Sequence, residues 1–251
     1  LKMSLVNIRK KTIQKAPKMA LFAEMGLGKT FHAAKLTAPI FEDLEDGMGK
    51  VKTVDGKDPH AFSDSKSYND VIKNIDWLVN NEHEYKTYVL DSLSKFELFV
   101  WQEVMNRYNV KDMKANWYAG YDNAVDIWLE YLKKLELLRE KGITIMLIGH
   151  VHTETVDDPS VEMPYRRYVL DVHKKARPEI TQWLDCLFFA QMKKGTVIVK
   201  QNGKTETKVK QSAEERIVWC NEQIFCQAKN RYALPDQLVL DWDVIRQEMV
   251  K

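Results

Sequence analysis

Short apolar runs alternate with longer stretches of helical periodicity along this chain, and the alternation predicts strand, helix, strand, helix. KMALFA (18–23) reads as a buried strand ending in a Gly-rich turn, and KTFHAAKLT (29–37) as the helix after it. APIFEDLE (38–45) reads as a second strand, stopped by Asp46-Gly47. A helix over 67–81 leads to strand KTYVLD (86–91), and helices over 93–108 and 121–141 follow. In the last of these Val125, Leu129, Leu132, Leu135 and Leu138 recur at helical spacing. Strand ITIMLIGH (143–150) comes next, then a polar, Pro-containing stretch (151–167) that reads as a long loop. Beyond it LDCLFFAQM (184–192) is a strand, TVIVKQ and KTETKVK flank Asn202-Gly203 as a type I′ hairpin, and RIVWC pairs with IFCQAK. The expected class is α/β, with a mostly parallel central sheet, helices on both faces and antiparallel strands at the C-terminal edge.

The 251 residues are 45% hydrophobic and 29% charged, which excludes disorder and suits a single domain over 1–251. No run approaches a membrane span, and the basic segment 1–17 lacks the apolar centre of a signal peptide, so a cytoplasmic protein with no membrane partner is expected. That segment is a candidate interface arm. Cys186, Cys220 and Cys226 are odd in number and share no metal-ligand spacing, so they read as buried or incidental thiols. The net charge of +2 hides two basic blocks, 1–35 and 165–210, on either side of an acidic one, 36–101.

AEMGLGKT (23–30) fits the phosphate-loop pattern G-x-x-x-x-G-K-[ST] with Ala23 in the first glycine position. A nucleotide site is therefore expected over Ala23, Glu24, Met25, Gly26, Leu27, Gly28, Lys29, Thr30 and Phe31. Backbone amides and a helix N-terminus would face phosphate oxygens, Lys29 would reach the β/γ-phosphates of ATP, and Thr30 would ligate Mg²⁺. Asp91, at the carboxyl end of an apolar strand, is the second Mg²⁺ candidate. The 62-residue interval from Lys29 to Asp91 holds a strand and a helix, which predicts an extra strand between the two site strands. Ser92 follows Asp91 where many ATPases place Glu, so the base must come from elsewhere. Glu45, at the end of the second strand, is the candidate, with Glu42, Asp43 and Asp46 as competitors.

AEMGLGKT, FEDLEDG, YKTYVLDSL, GITIMLIGH and AKNRYALP, in this order over nearly the whole chain, resemble the RecA-like phage nucleotide-binding proteins, which include core-only recombinases that promote single-strand annealing. The resemblance implies a RecA-like P-loop core, Glu45 as catalytic base and His150 as the residue that senses the γ-phosphate. AKNR resembles an element that reaches a neighbouring subunit's nucleotide, which makes Lys229 and Arg231 catalytic candidates in a ring or filament homo-oligomer. It also implies single-stranded DNA held near 108–120 and 151–175, with Arg166, Arg167, Lys174, Lys175 and Arg177 on phosphates and Trp117, Tyr165 and Tyr168 stacking on bases. The expected function is ATP hydrolysis coupled to single-stranded DNA in phage recombination or replication, in a host bacterial cytoplasm, with a single-strand-binding protein as a candidate partner. The alternative is a nucleotide-dependent switch or helicase-associated accessory ATPase that does not touch DNA.

Overall fold

The computed structural model describes residues 15–201 and 204–250, with only the backbone described at 115–118, 196–201, 204–211, 213 and 214. In chain order the elements are β1 (Lys18–Ala23), α1 (Lys29–Ala33), β2 (Pro39–Asp43), β3 (His60–Ala61), α2 (Tyr68–Asn80), β4 (Thr87–Asp91), α3 (Leu93–Tyr108) and α4 (Ala115–Glu140). They continue with β5 (Thr144–Val156), β6 (Tyr165–Leu170), α5 (Arg177–Trp183), β7 (Cys186–Gln201), β8 (Lys204–Trp219), β9 (Gln237–Val239) and α6 (Trp242–Met249). The sheet order is β3-β2-β4-β5-β1-β7-β8-β9, with β6 pairing β5 off this path. Pairs from β3 to β7 are parallel, and β7-β8 and β8-β9 are antiparallel. The expected extra strand between the two site strands is β5, which comes after both in sequence.

The apolar run of β1 is continuous because both of its faces are covered. Ala20 and Phe22 pack with α2 to α5, and Met19, Leu21 and Ala23 pack with α1 and α6. Trp128, Tyr131 and Phe96, none of them measurably exposed, fill the space between α3 and α4. Ser67 caps α2 by accepting from the Asp70 amide, and Asp241 caps α6 through the amides of Asp243 and Val244. The cysteines are free and buried, and burial pushes each thiol up to about 12, as inert core residues require. At the amino-terminal edge of the sheet a cavity of about 470 Å³ is lined by Lys15, Pro17, Tyr232, Trp242, Met249 and Val250, among others.

Four sequence expectations are corrected here. The helix expected over 29–37 stops at Ala33, and the amides of Lys35 and Leu36 bond three residues back as the chain turns toward Pro39, whose ring disfavours helix in the residue before it. The stretch 151–167 is mostly a hairpin: β5 runs on to Val156 and pairs antiparallel with β6, from Val151↔Leu170 to Val156↔Tyr165. Helix α4 begins at Ala115, six residues early, which shortens the loop expected at 108–120. RIVWC pairs with β7 and β9, not with IFCQAK, whose only ladder contacts are isolated bridges to Tyr168, Leu187 and Gln223. The predicted hairpin register holds, with Gln201 opposite Lys204, while the Asn202-Gly203 turn, residues 1–14 and the Trp117 side chain lie outside the described residues.

Glu97 of α3 is 7% exposed and accepts from the His173 amide at 2.9 and 3.1 Å. Burial pushes its carboxyl up to about 7 against that hydrogen bond. A group whose pKa is raised on folding stabilises most below its unfolded value and loses that contribution as pH rises through the folded value. Unfolding free energy should therefore fall between pH 5 and pH 8 by on the order of 2–3 kcal/mol from this group. Glu97→Gln should flatten that segment in denaturant titrations; an unchanged slope would place the titration elsewhere.

Candidate active site

In-register parallel pairing brings the ends of β1, β2 and β4 and the middle of β5 to one edge, with Ala23 beside His150, Asp43 beside Asp91, and Asp91 beside Ile148. The loop leaving β1 turns through Gly26 (φ 78°) and Gly28 (φ 90°), left-handed conformations that a side chain would strain. With only five residues, α1 adds little macrodipole, so loop amides and the lysine carry the positive character there.

Lys29 is 8% exposed; its Nζ donates to Ala23 O at 3.2 Å and Glu24 O at 3.3 Å and lies 3.5 Å from His150 Nδ1. Burial lowers its pKa, while Asp91 and Glu45 oppose that shift. An ammonium only donates, so Nδ1 accepts and the imidazole proton sits on Nε2. From there it reaches Glu45 Oε1 at 2.9 Å and Oε2 at 3.2 Å. Ser92 Oγ also donates to Glu45 Oε1. The hydrogen bonds from His150 and then Ser92 hold the Glu45 carboxyl down at about 2 against the opposing effect of burial. Among its competitors, Glu42 is buried and accepts from Ser65 and Asn74, and Asp43 accepts from the amides of Glu45 and Gly47 to shape the turn. Asp46 occupies the left-handed region of that turn, at φ 54°.

Thr30 Oγ1 donates to Asp91 Oδ2 at 2.5 Å. Asp91 is 3% exposed and burial pushes its carboxyl up to about 6, so a carboxylate with a neighbouring hydroxyl is kept out of water without a full counter-charge. Two hard oxygen donors in that state fit Mg²⁺ chemistry. Phe31 stays about half exposed with Lys35 Nζ 5.1 Å from its ring centre, and Met25 is exposed as well. Sequence reasoning missed two grips on the loop: Arg216 Nε donates to Leu27 O at 2.8 Å and Trp242 Nε1 to His32 O at 2.6 Å. Both come from near the C-terminal end of the sequence, with no motif to announce them.

A protein-family model described as AAA domain matches residues 15–232, which contain every part of this edge. The chain belongs to the AAA domain family. Among solved structures this AAA domain is similar to the flagellar accessory protein FlaH from Methanocaldococcus jannaschii, with 10% identity, 90% of each chain covered and a TM-score of 0.37. No curated protein matches the sequence. The α/β class with a mostly parallel sheet is the one observed, with the phosphate-loop strand near the middle of the sheet and β5 separating it from β4.

The remaining candidates lie elsewhere. Lys229 Nζ donates to the carbonyls of Thr181, Gln182 and Leu184 at 2.7–2.8 Å, and Arg231 bonds Asp185 and Gln182 O at 3.2 Å. Within one chain both cations therefore have partners away from the phosphate loop. The end of α5 leaves carbonyls without helical partners, and Lys229 satisfies them. Their polar groups engage the amino-terminal edge, where the end of α5 and Asp185 lie just before β7, away from the phosphate loop. Asp185 there, 4% exposed, also accepts from the Lys18 amide and from Arg139. On the β5–β6 hairpin and the turn after it, Arg166 and Lys174 are exposed. Arg167 pairs with Glu222, Lys175 with Asp122 and Arg177 with Glu154.

Proposed function

We propose that this AAA domain binds and hydrolyses Mg-ATP and acts on single-stranded DNA in phage recombination or replication, by annealing or strand exchange, as a homo-oligomer in a host bacterial cytoplasm. The Lys29–His150–Glu45 chain beside the Thr30–Asp91 pair carries this reading. Lys29 leaves its loop carbonyls for the β/γ-phosphates, and the loop amides hold the phosphate oxygens. Thr30 and Asp91 would hold Mg²⁺, and the ion when bound would offset charge on the phosphates. Glu45 accepts a proton from the attacking water and orients it. His150, in contact with both Lys29 and Glu45, reports phosphate occupancy to the base. Among the described residues no helix is long and apolar enough to cross a membrane.

ATP turnover measured with and without single-stranded DNA across a salt series tests the reading. Stimulation that fades as salt rises is expected, because phosphate contacts release counterions. The second reading, a nucleotide-dependent switch or accessory ATPase that leaves DNA alone, is favoured by one observation. Three of the five cations proposed for DNA are already paired within the chain. Arg166→Ala separates the two: with DNA contact at this hairpin the salt slope of binding should flatten by about one unit while ATP affinity stays constant. An unaltered slope, or no DNA stimulation, supports the switch.

A further inference from the structure

Ser92 stands where many ATPases carry a glutamate directly after the aspartate, and the structure gives its hydroxyl two partners. It is fully buried at the N-cap of α3, where Oγ accepts from the Lys95 amide at 3.4 Å. That bond occupies an oxygen lone pair and leaves the hydroxyl hydrogen for Glu45 Oε1, the acceptor it reaches. Glu45 itself lies two residues beyond the end of β2, in a bend, and its carboxylate is about one-third exposed. No strand pairing fixes where that side chain points.

Its other partner is His150, whose second ring nitrogen faces Lys29. When Lys29 turns to a phosphate, the His150 contact is free to change with it. Ser92 is tied to the first turn of a helix whose body is packed through Leu93, Phe96 and Val100, and so its contact stays in place. We infer that Ser92 is a positioning residue that holds the Glu45 carboxylate on the attacking water while His150 responds to the nucleotide. This deepens the proposed function and rests on Glu45 being the base. In this arrangement β4 supplies the metal carboxylate, the bend after β2 supplies the base, and the hydroxyl after β4 joins them.

The test uses the full chain with four variants: Ser92→Gly, Ser92→Cys, Glu45→Gln and the double variant Ser92→Gly/Glu45→Gln. Glycine is tolerated at an N-cap, so Ser92→Gly removes the donor with little loss of the cap. Cysteine keeps the size and offers only a weak donor. Expected for Ser92→Gly is a turnover loss of about 10–100-fold with KM for ATP within about twofold, since misplacement by an ångström costs that much in rate. Ser92→Cys should fall between it and the parent. The double variant should be no slower than Glu45→Gln alone, because Ser92 acts through Glu45; a merely structural role would lower both backgrounds alike.

Wild-type turnover in folded Ser92→Gly, or a further loss in the double variant, overturns the inference while leaving the base assignment standing. Full turnover in Glu45→Gln overturns the base assignment and this inference together. If Ser92→Gly does not fold, Ser92→Cys decides: turnover equal to the parent overturns the inference, and a several-fold loss at unchanged KM supports it.

Discussion

Lys29→Ala is expected to weaken Mg-ATP binding at least about 100-fold while the protein stays folded. The ammonium is the cation closest to where the phosphate loop would hold its ligand, and it is largely withdrawn from water. Two charge-assisted hydrogen bonds to phosphate contribute roughly 1.5–3 kcal/mol each. At about 1.4 kcal/mol per tenfold, losing them takes affinity down by two orders of magnitude or more. The fold has little to lose, because the variant also removes a desolvated charge, and the carbonyls of Ala23 and Glu24 that it contacted lie at the loop, where Glu24 is exposed. Calorimetric titration of ATP, with thermal unfolding as the control for folding, decides the matter. Unchanged affinity in a folded variant would reduce the loop to a strand–helix turn.

Glu45→Gln should keep nucleotide affinity and lose turnover by about 100- to 10,000-fold, the range of general base catalysis. The amide keeps the size and the acceptor oxygen that Ser92 and His150 contact, and lacks the ability to take a proton. Glu42→Gln is the comparison. Its carboxyl is buried against Ser65 and Asn74 on the side of the strand facing α2, and burial raises its pKa. Turnover near the parent level is expected there. A dead Glu42→Gln beside an active Glu45→Gln would move the base to the buried carboxylate.

The sequence was most legible where one residue type has one physical use. The glycines and Lys29 mark the phosphate loop, and Asp91 and His150 close apolar runs that can only be covered strands, so the edge could be assembled from pattern alone. Legibility failed where pairing replaces burial. Residues 152–156 and 165–167 extend from the core as a two-stranded ribbon, so the apolar alternation that announces a strand is weak, although Thr153, Thr155 and Val156 carry the β-branched signal. The intrachain contacts of Lys229 and Arg231 were hidden for a related reason. A charge beside a motif looks available from sequence, and what occupies it here, carbonyls and a carboxylate from α5 and the turn after it, lies more than forty residues away in the chain. Ser92 stood out in sequence only as the residue in place of a glutamate, because its bond to Glu45 crosses to the turn after a different strand.

The cavity at the amino-terminal edge has residues 15–17 and 249–250 on its wall, so the two ends of the described chain are near neighbours across it. Asp185 reinforces the proximity by bonding both Lys18 and Arg231. The described segment from Lys15 to Val250 is thus nearly circular in space although linear in covalent connection. A circular permutant cut between β5 and β6, within the exposed turn at 157–164, would keep the phosphate loop, the base and the metal ligands on one uninterrupted stretch of chain. It would also place both new ends on the ribbon that carries Arg166, so a fluorophore attached there would sit beside the surface proposed to meet DNA.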